Sequence, residues 1–183
     1  MTEDLSIYSS PGEQRIVDIL TKWLKENNMT GRAYKFPVSV DNYQVIDVLF
    51  DCADLCYMGI EVKYRTIDGY WYLDLDSISR KNKNGTRQST SQLYSFIAQT
   101  GRLGLYAFVL MEEDEETICF FPHYVLQQCI NRGWKYLDIG YLYWHNSCYI
   151  WEEKNRTFND YVKNEFEKQT NYLNFIFNNS SQV

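Results

Sequence analysis

The chain has 183 residues, 45% hydrophobic and 23% charged, enough for one well-cored domain with a small appendage. A net charge of −6 excludes a protein that coats nucleic acid indiscriminately, and no apolar run is long enough to cross a bilayer. The opening residues, MTEDLSIYSSPGE, lack the basic and apolar regions of a signal peptide, so a cytoplasmic protein with no membrane partner is expected.

Taken in order, Ser10-Pro11-Gly12-Glu13 reads as a helix start. Ser10 is the cap, Pro11 takes the first helical position and Glu13 closes a capping box. Ile16, Ile19, Leu20, Trp23 and Leu24 keep helical spacing, which predicts a helix to about Asn28. Residues 32–40 read as a short strand or an extended arm, with a turn at Asp41-Asn42.

The next stretch organises the rest. Two apolar runs, Val45–Cys52 and Cys56–Tyr64, flank Ala53-Asp54-Leu55 and predict a β-hairpin. With its turn centred on Asp54, Asp47 falls across from Glu61, and Lys63 shares the face of Glu61. Ile46, Val48, Ile60 and Val62 take the opposite face as a core set. Two carboxylates directly opposed are destabilising, so either a divalent cation sits between them or Asp47 is a salt-bridge partner for Lys63 on a solvated face.

Trp71–Leu75 alternates weakly and is expected to be a strand. Ser79–Ser91 is polar, basic and aperiodic, hence a mobile loop. Residues 77–111 hold five bases (Arg80, Lys81, Lys83, Arg87, Arg102) and no acid, a positive patch on an acidic body. Ser89 or Thr90 caps a helix over Gln92–Thr100 that Gly101 ends. Gly104–Met111 has the length and apolarity of a strand buried on both faces. Glu112–Glu116 is an exposed acidic turn, Thr117–Phe121 a returning strand, and Pro122 precedes a helix to about Asn131. This order predicts an α/β (α+β) fold, a mixed sheet flanked by helices.

From Gly133 the texture changes to dense Tyr and Trp, followed by a long helix over Thr157–Phe177. Residues 1–131 are therefore read as the core and 132–183 as an aromatic-rich extension, packed on the core or on a second subunit. The five cysteines, at 52, 56, 119, 129 and 148, are expected to be reduced and mostly buried. Cys52 and Cys56 are placed to meet across the hairpin, and Cys119 with His123 is the other conceivable ligand pair.

Gly12-Glu13, Ile46-Asp47, Ile60-Glu61-Val62-Lys63 and Leu93–Val109, in this order, resemble the PD-(D/E)XK nuclease superfamily. Within it the likeness is strongest to archaeal-type Holliday-junction resolvases and their restriction-endonuclease-like relatives. Ile46 departs from the family's proline, and the extension has no counterpart. The resemblance implies a restriction-endonuclease-like fold and Mg²⁺, with Mn²⁺ able to substitute. Asp47, Glu61 and the backbone carbonyl of Val62 would hold the metal, and Glu13 a second metal or a water. Lys63 would position or activate the attacking water, and Gln92 is an auxiliary site residue. Arg80, Lys81, Lys83 and Arg87 would contact the DNA backbone, and the chain would act as a homodimer. The implied activity is a Mg²⁺-dependent, structure-selective DNA endonuclease. The alternatives are a restriction- or repair-type nuclease on duplex DNA, or a nuclease-derived module that binds without cutting.

Overall fold

The computed structural model describes residues 11–35, 46–53, 55–66, 72–144, 148–152 and 157–180. Ser10, the turn at Asp41-Asn42, Asp54 and part of the expected Trp71–Leu75 strand lie outside them.

A six-stranded mixed sheet forms the centre, in the order β1 (Gly31–Lys35), β2 (Val48–Cys52), β3 (Cys56–Thr66), β7 (Leu103–Glu112), β8 (Glu115–Pro122) and β10 (Tyr149–Ile150). All neighbours are antiparallel except β3 and β7, which run parallel. A parallel pair needs a crossover, and α2 (Gln92–Thr100) lies within that connection. Two small ribbons sit outside the sheet: β4 (Tyr72–Asp74) with β9 (Tyr136–Asp138), and β5 (Ser79–Lys81) with β6 (Arg87–Ser89). The remaining helices are α1 (Pro11–Glu26), α3 (His123–Asn131), α4 (Ile139–Trp144) and α5 (Phe158–Ser180).

The sheet buries both faces, as the apolar run of β7 requires: Leu103 to Leu110 are all buried. On one face Ile16, Leu20 and Trp23 of α1 pack with Val48, Phe50, Ile60 and Val62. Phe158 and Val162 of α5 complete that core, Phe158 meeting Trp23 edge-on at 5.2 Å between ring centroids. On the other face Leu93 and Ile97 of α2, Leu126 and Ile130 of α3, and Leu137 and Leu142 pack with Tyr106 and Phe108. Gln169 of α5 also pins the start of β7, accepting from Gly104 N at 3.1 Å and donating to Arg102 O at 2.7 Å. The described part of the extension thus packs on its own chain's core.

Three expectations need correction. Ile46 does not join Val48, Ile60 and Val62; it lies in the opposite core with Leu49 and Phe96. Pairing of β2 with β3 begins only at Val48, and Ile46 fills the space over Gly59, where a Cβ would come within 2.3 Å of Ile46 Cδ1. Ser79–Ser91 is not a loop but a hairpin, closed by Asn82 N donating to Thr86 O at 2.7 Å. Gly85, at φ 86°, makes its tight turn. The α2 cap is Ser91, not Ser89 or Thr90: Ser91 Oγ accepts from Tyr94 N at 3.2 Å.

The five cysteines are free thiols. Cys52 and Cys56 are directly opposite in the hairpin without forming a disulfide. Among the described residues no helix is long and apolar enough to cross a membrane.

Candidate functional site

The hairpin register decides the geometry. Val48 pairs with Ile60, so Asp47, one residue outside the ladder, stands opposite Glu61. Val62 N donates to Asp47 Oδ2 at 2.7 Å, which fixes the carboxylate at the end of β2. The N–H and C=O of one strand residue leave on the same edge, so the Val62 carbonyl faces the Asp47 side too. Lys63 Nζ holds Glu61 Oε1 at 2.8 Å. The other oxygen, Glu61 Oε2, is buried and makes no hydrogen bond among the described residues.

These groups feel one another. Burial and the charge of Glu61 push the Asp47 carboxyl up to about 7, against the pull of the Val62 N–H. Glu13 adds to the rise and Lys63 opposes it, so all four side chains share one electrostatic neighbourhood. Glu13 belongs to the first turn of α1, whose buried stripe packs on the sheet. Gln92 joins the group from another direction. As the first residue of α2 it lines a cavity of about 200 Å³ together with Glu61, Lys63, Thr90, Ser91 and Tyr106.

The donor set can be tested against a metal. Mg²⁺ takes hard oxygens and keeps several of its waters. Two carboxylates, one with a bare buried oxygen, and an adjacent carbonyl fit that demand. Among the described residues no group of three or more His, Cys, Asp or Glu side chains is placed to hold a metal ion, so a fully caged site is absent. Cys119 and His123 form no such group; His123 is buried, stacked near Tyr106 at 6.3 Å between centroids.

The basic residues divide. Arg80 and Lys81 are exposed on β5, and Lys83 is exposed at the turn. Arg87, read from the sequence as a DNA contact, is half-buried and held by bonds within the chain. Its guanidinium donates to Ser79 Oγ at 2.7 Å, Trp134 O at 3.3 Å and Leu75 O at 3.4 Å, and pairs with Asp76. It therefore ties the β5–β6 hairpin to the β4–β9 region.

Tyr106 is the site residue that sequence reasoning passed over. Inside the run GLYAFVLM it reads as core, yet it pairs in register with Glu61 and shares its cavity. Its parallel pairing with the Glu-x-Lys strand is the only signal that marks it.

Among solved structures the chain is similar to a Holliday junction resolvase (Hjc) from the archaeal hyperthermophile Archaeoglobus fulgidus. It is 21% identical, with 72% of this chain and 86% of that chain covered and a TM-score of 0.40. No family model matches the sequence. No curated protein matches it either.

Proposed function

We propose that the chain is a Mg²⁺-dependent DNA endonuclease that selects branched structure, most like a Holliday-junction resolvase. The observation that carries this is the set Asp47, Glu61 and Lys63 around a buried, bare carboxylate oxygen, with Glu61 and Lys63 lining a polar cavity. A structural ion pair gives no reason to leave Glu61 Oε2 unsatisfied, because a buried unpaired acceptor costs about 1–3 kcal/mol.

When bound, Mg²⁺ neutralises charge on the phosphate and lowers the pKa of a water it holds. Asp47 and Glu61 would bind it through the oxygens that Val62 N and Lys63 leave over, and the Val62 carbonyl would add a third ligand. Lys63 keeps Glu61 in orientation and brings a positive charge to the phosphate and the attacking water. Glu13, close enough to act on Asp47, orients water at the far side of that carboxylate or helps hold a second ion. Gln92 aligns substrate from the start of α2. Arg80, Lys81 and Lys83 contact the DNA backbone without reading bases, which suits recognition of shape. Two symmetric cuts in a junction call for a homodimer.

Incubating a four-way junction and its parent duplex with the protein and Mg²⁺ tests the reading. Paired nicks confined to the junction support it. Duplex cleavage moves the chain to the restriction- or repair-type class, and binding without any cleavage removes the enzyme reading.

A further inference from the structure

We propose that Tyr106 is a phosphate-positioning residue. Its hydroxyl donates a hydrogen bond to a non-bridging oxygen of the backbone phosphate seated beside Lys63 at the start of α2.

The side chain is 1% exposed and its Oη meets no full hydrogen-bond geometry among the described residues. Ser91 stands near enough to act on the phenol oxygen as a donor, which leaves the phenolic hydrogen without an acceptor. The ring itself is well accounted for. It stacks on Phe121 at 5.2 Å between centroids and near His123 at 6.3 Å, contacts that phenylalanine would make equally well. The hydroxyl is thus surplus to packing, and a buried O–H hydrogen without an acceptor is destabilising. Tyr106 lines the cavity of about 200 Å³ that Glu61, Lys63, Ser91 and Gln92 also line.

What the cavity accepts follows from its lining. Apart from Glu61, every polar lining group can donate: the Lys63 ammonium, the hydroxyls of Ser77, Thr90, Ser91 and Tyr106, and the Gln92 amide. The first turn of α2 adds N–H groups that have no partner within the helix. Helix N-termini favour anions, and here Tyr106, whose buried O–H has no acceptor among the described residues, lines the same space. The volume suits a phosphate group with a few waters, and Ile78 is the one aliphatic side chain lining it, so nothing there cradles a base. This assignment rests on the nuclease reading only in taking the phosphate to be that of DNA.

Tyr106→Phe keeps the ring and removes the donor. The expected result is a kcat for junction cleavage roughly 10- to 100-fold lower with KM changed less than about threefold. The variant's Tm should equal or exceed that of the unaltered chain, and inorganic phosphate should raise it less. Cleavage and phosphate response both at the parental level overturn the proposal while the nuclease reading stands. If the unaltered chain cuts no DNA but phosphate still stabilises it in a Tyr106-dependent way, the cavity assignment stands and the nuclease reading falls. Loss of cleavage accompanied by a lowered Tm makes the hydroxyl structural and also overturns the proposal.

Discussion

Asp47→Asn should stabilise the metal-free protein while removing its activity. Burial and the neighbouring Glu61 raise the Asp47 carboxyl from 3.8 to about 7. The folded chain therefore holds this proton more tightly than the unfolded chain does. Below about pH 4 both states are protonated and no cost arises. As pH rises from 4 to 7 the unfolded chain ionises freely and the folded one does not, so stability is lost across that window and stays lost above it. Converting the rise gives a ceiling of about 4 kcal/mol, and relaxation at a site partly open to water brings the expected effect to roughly 2–4 kcal/mol. Asparagine keeps an oxygen to accept from Val62 N, so the anchoring bond survives. For a chain of this length the gain corresponds to roughly 5–15 °C in Tm. Thermal unfolding of both proteins in EDTA at pH 4 to 8.5 measures it. The two curves should meet near pH 4, separate progressively up to pH 7 and stay apart by a constant gap above it. A variant no more stable than the parent at pH 8, or a gap independent of pH, would refute the reasoning.

Other outcomes follow from the same coordinates. Replacing Arg80, Lys81 and Lys83 together by Ala should reduce the slope of log affinity for DNA against log salt by about 2–3, since each phosphate contact contributes about 0.9. Arg87→Ala should leave that slope unchanged and instead lower stability by about 1–3 kcal/mol, read by urea unfolding, because its internal bonds are lost. Gly59→Ala would drive a Cβ to 2.3 Å from Ile46 Cδ1 and 2.8 Å from Phe96 Cε1. It should cost about 1–3 kcal/mol, and Mg²⁺ affinity should fall as Ile46 displaces Asp47. His123 is held neutral by complete burial, its pKa lowered to about 4 from 6.5. The unfolded chain takes up the proton first, so the His123 contribution to stability falls by about 3 kcal/mol as pH drops from 6.5 to 4, opposing the Asp47 effect over the same window. His123→Phe should remove that component, as acid unfolding curves will register.

The sequence disclosed the elements with strong period and hid those without it. The stripe Ile16, Ile19, Leu20, Trp23 and Leu24 marks α1, and all five are buried. The symmetry of Asp47 and Glu61 about residue 54 gave the correct register, because side chains alternate strictly along paired strands. That argument failed two residues beyond the ladder, where Ile46 follows the gap above Gly59 and not the parity of β2. The β5–β6 hairpin left no trace because an exposed ribbon buries little on either face; its pairing rests on backbone bonds and on Gly85. Arg87 and Arg80 look alike in sequence, and what separates them is the set of partners Arg87 meets in the fold: the Leu75 and Trp134 carbonyls, Ser79 and Asp76. Tyr106 was hidden for the opposite reason. In a strand buried on both faces every residue looks like core, so a polar atom aimed at a cavity emerges only from its register with Glu61.

Titration calorimetry of Mg²⁺ into the unaltered chain and into Glu61→Gln tests the joint grip of Asp47 and Glu61 on the ion most directly. At pH 6.5 the unaltered chain should take up Mg²⁺ and release protons, because Asp47 must ionise to bind, and the heat should vary with the buffer's ionisation enthalpy. Glu61→Gln should bind at least tenfold more weakly. Mg²⁺ uptake of equal affinity in both proteins, or none in either with and without DNA, would contradict the shared site.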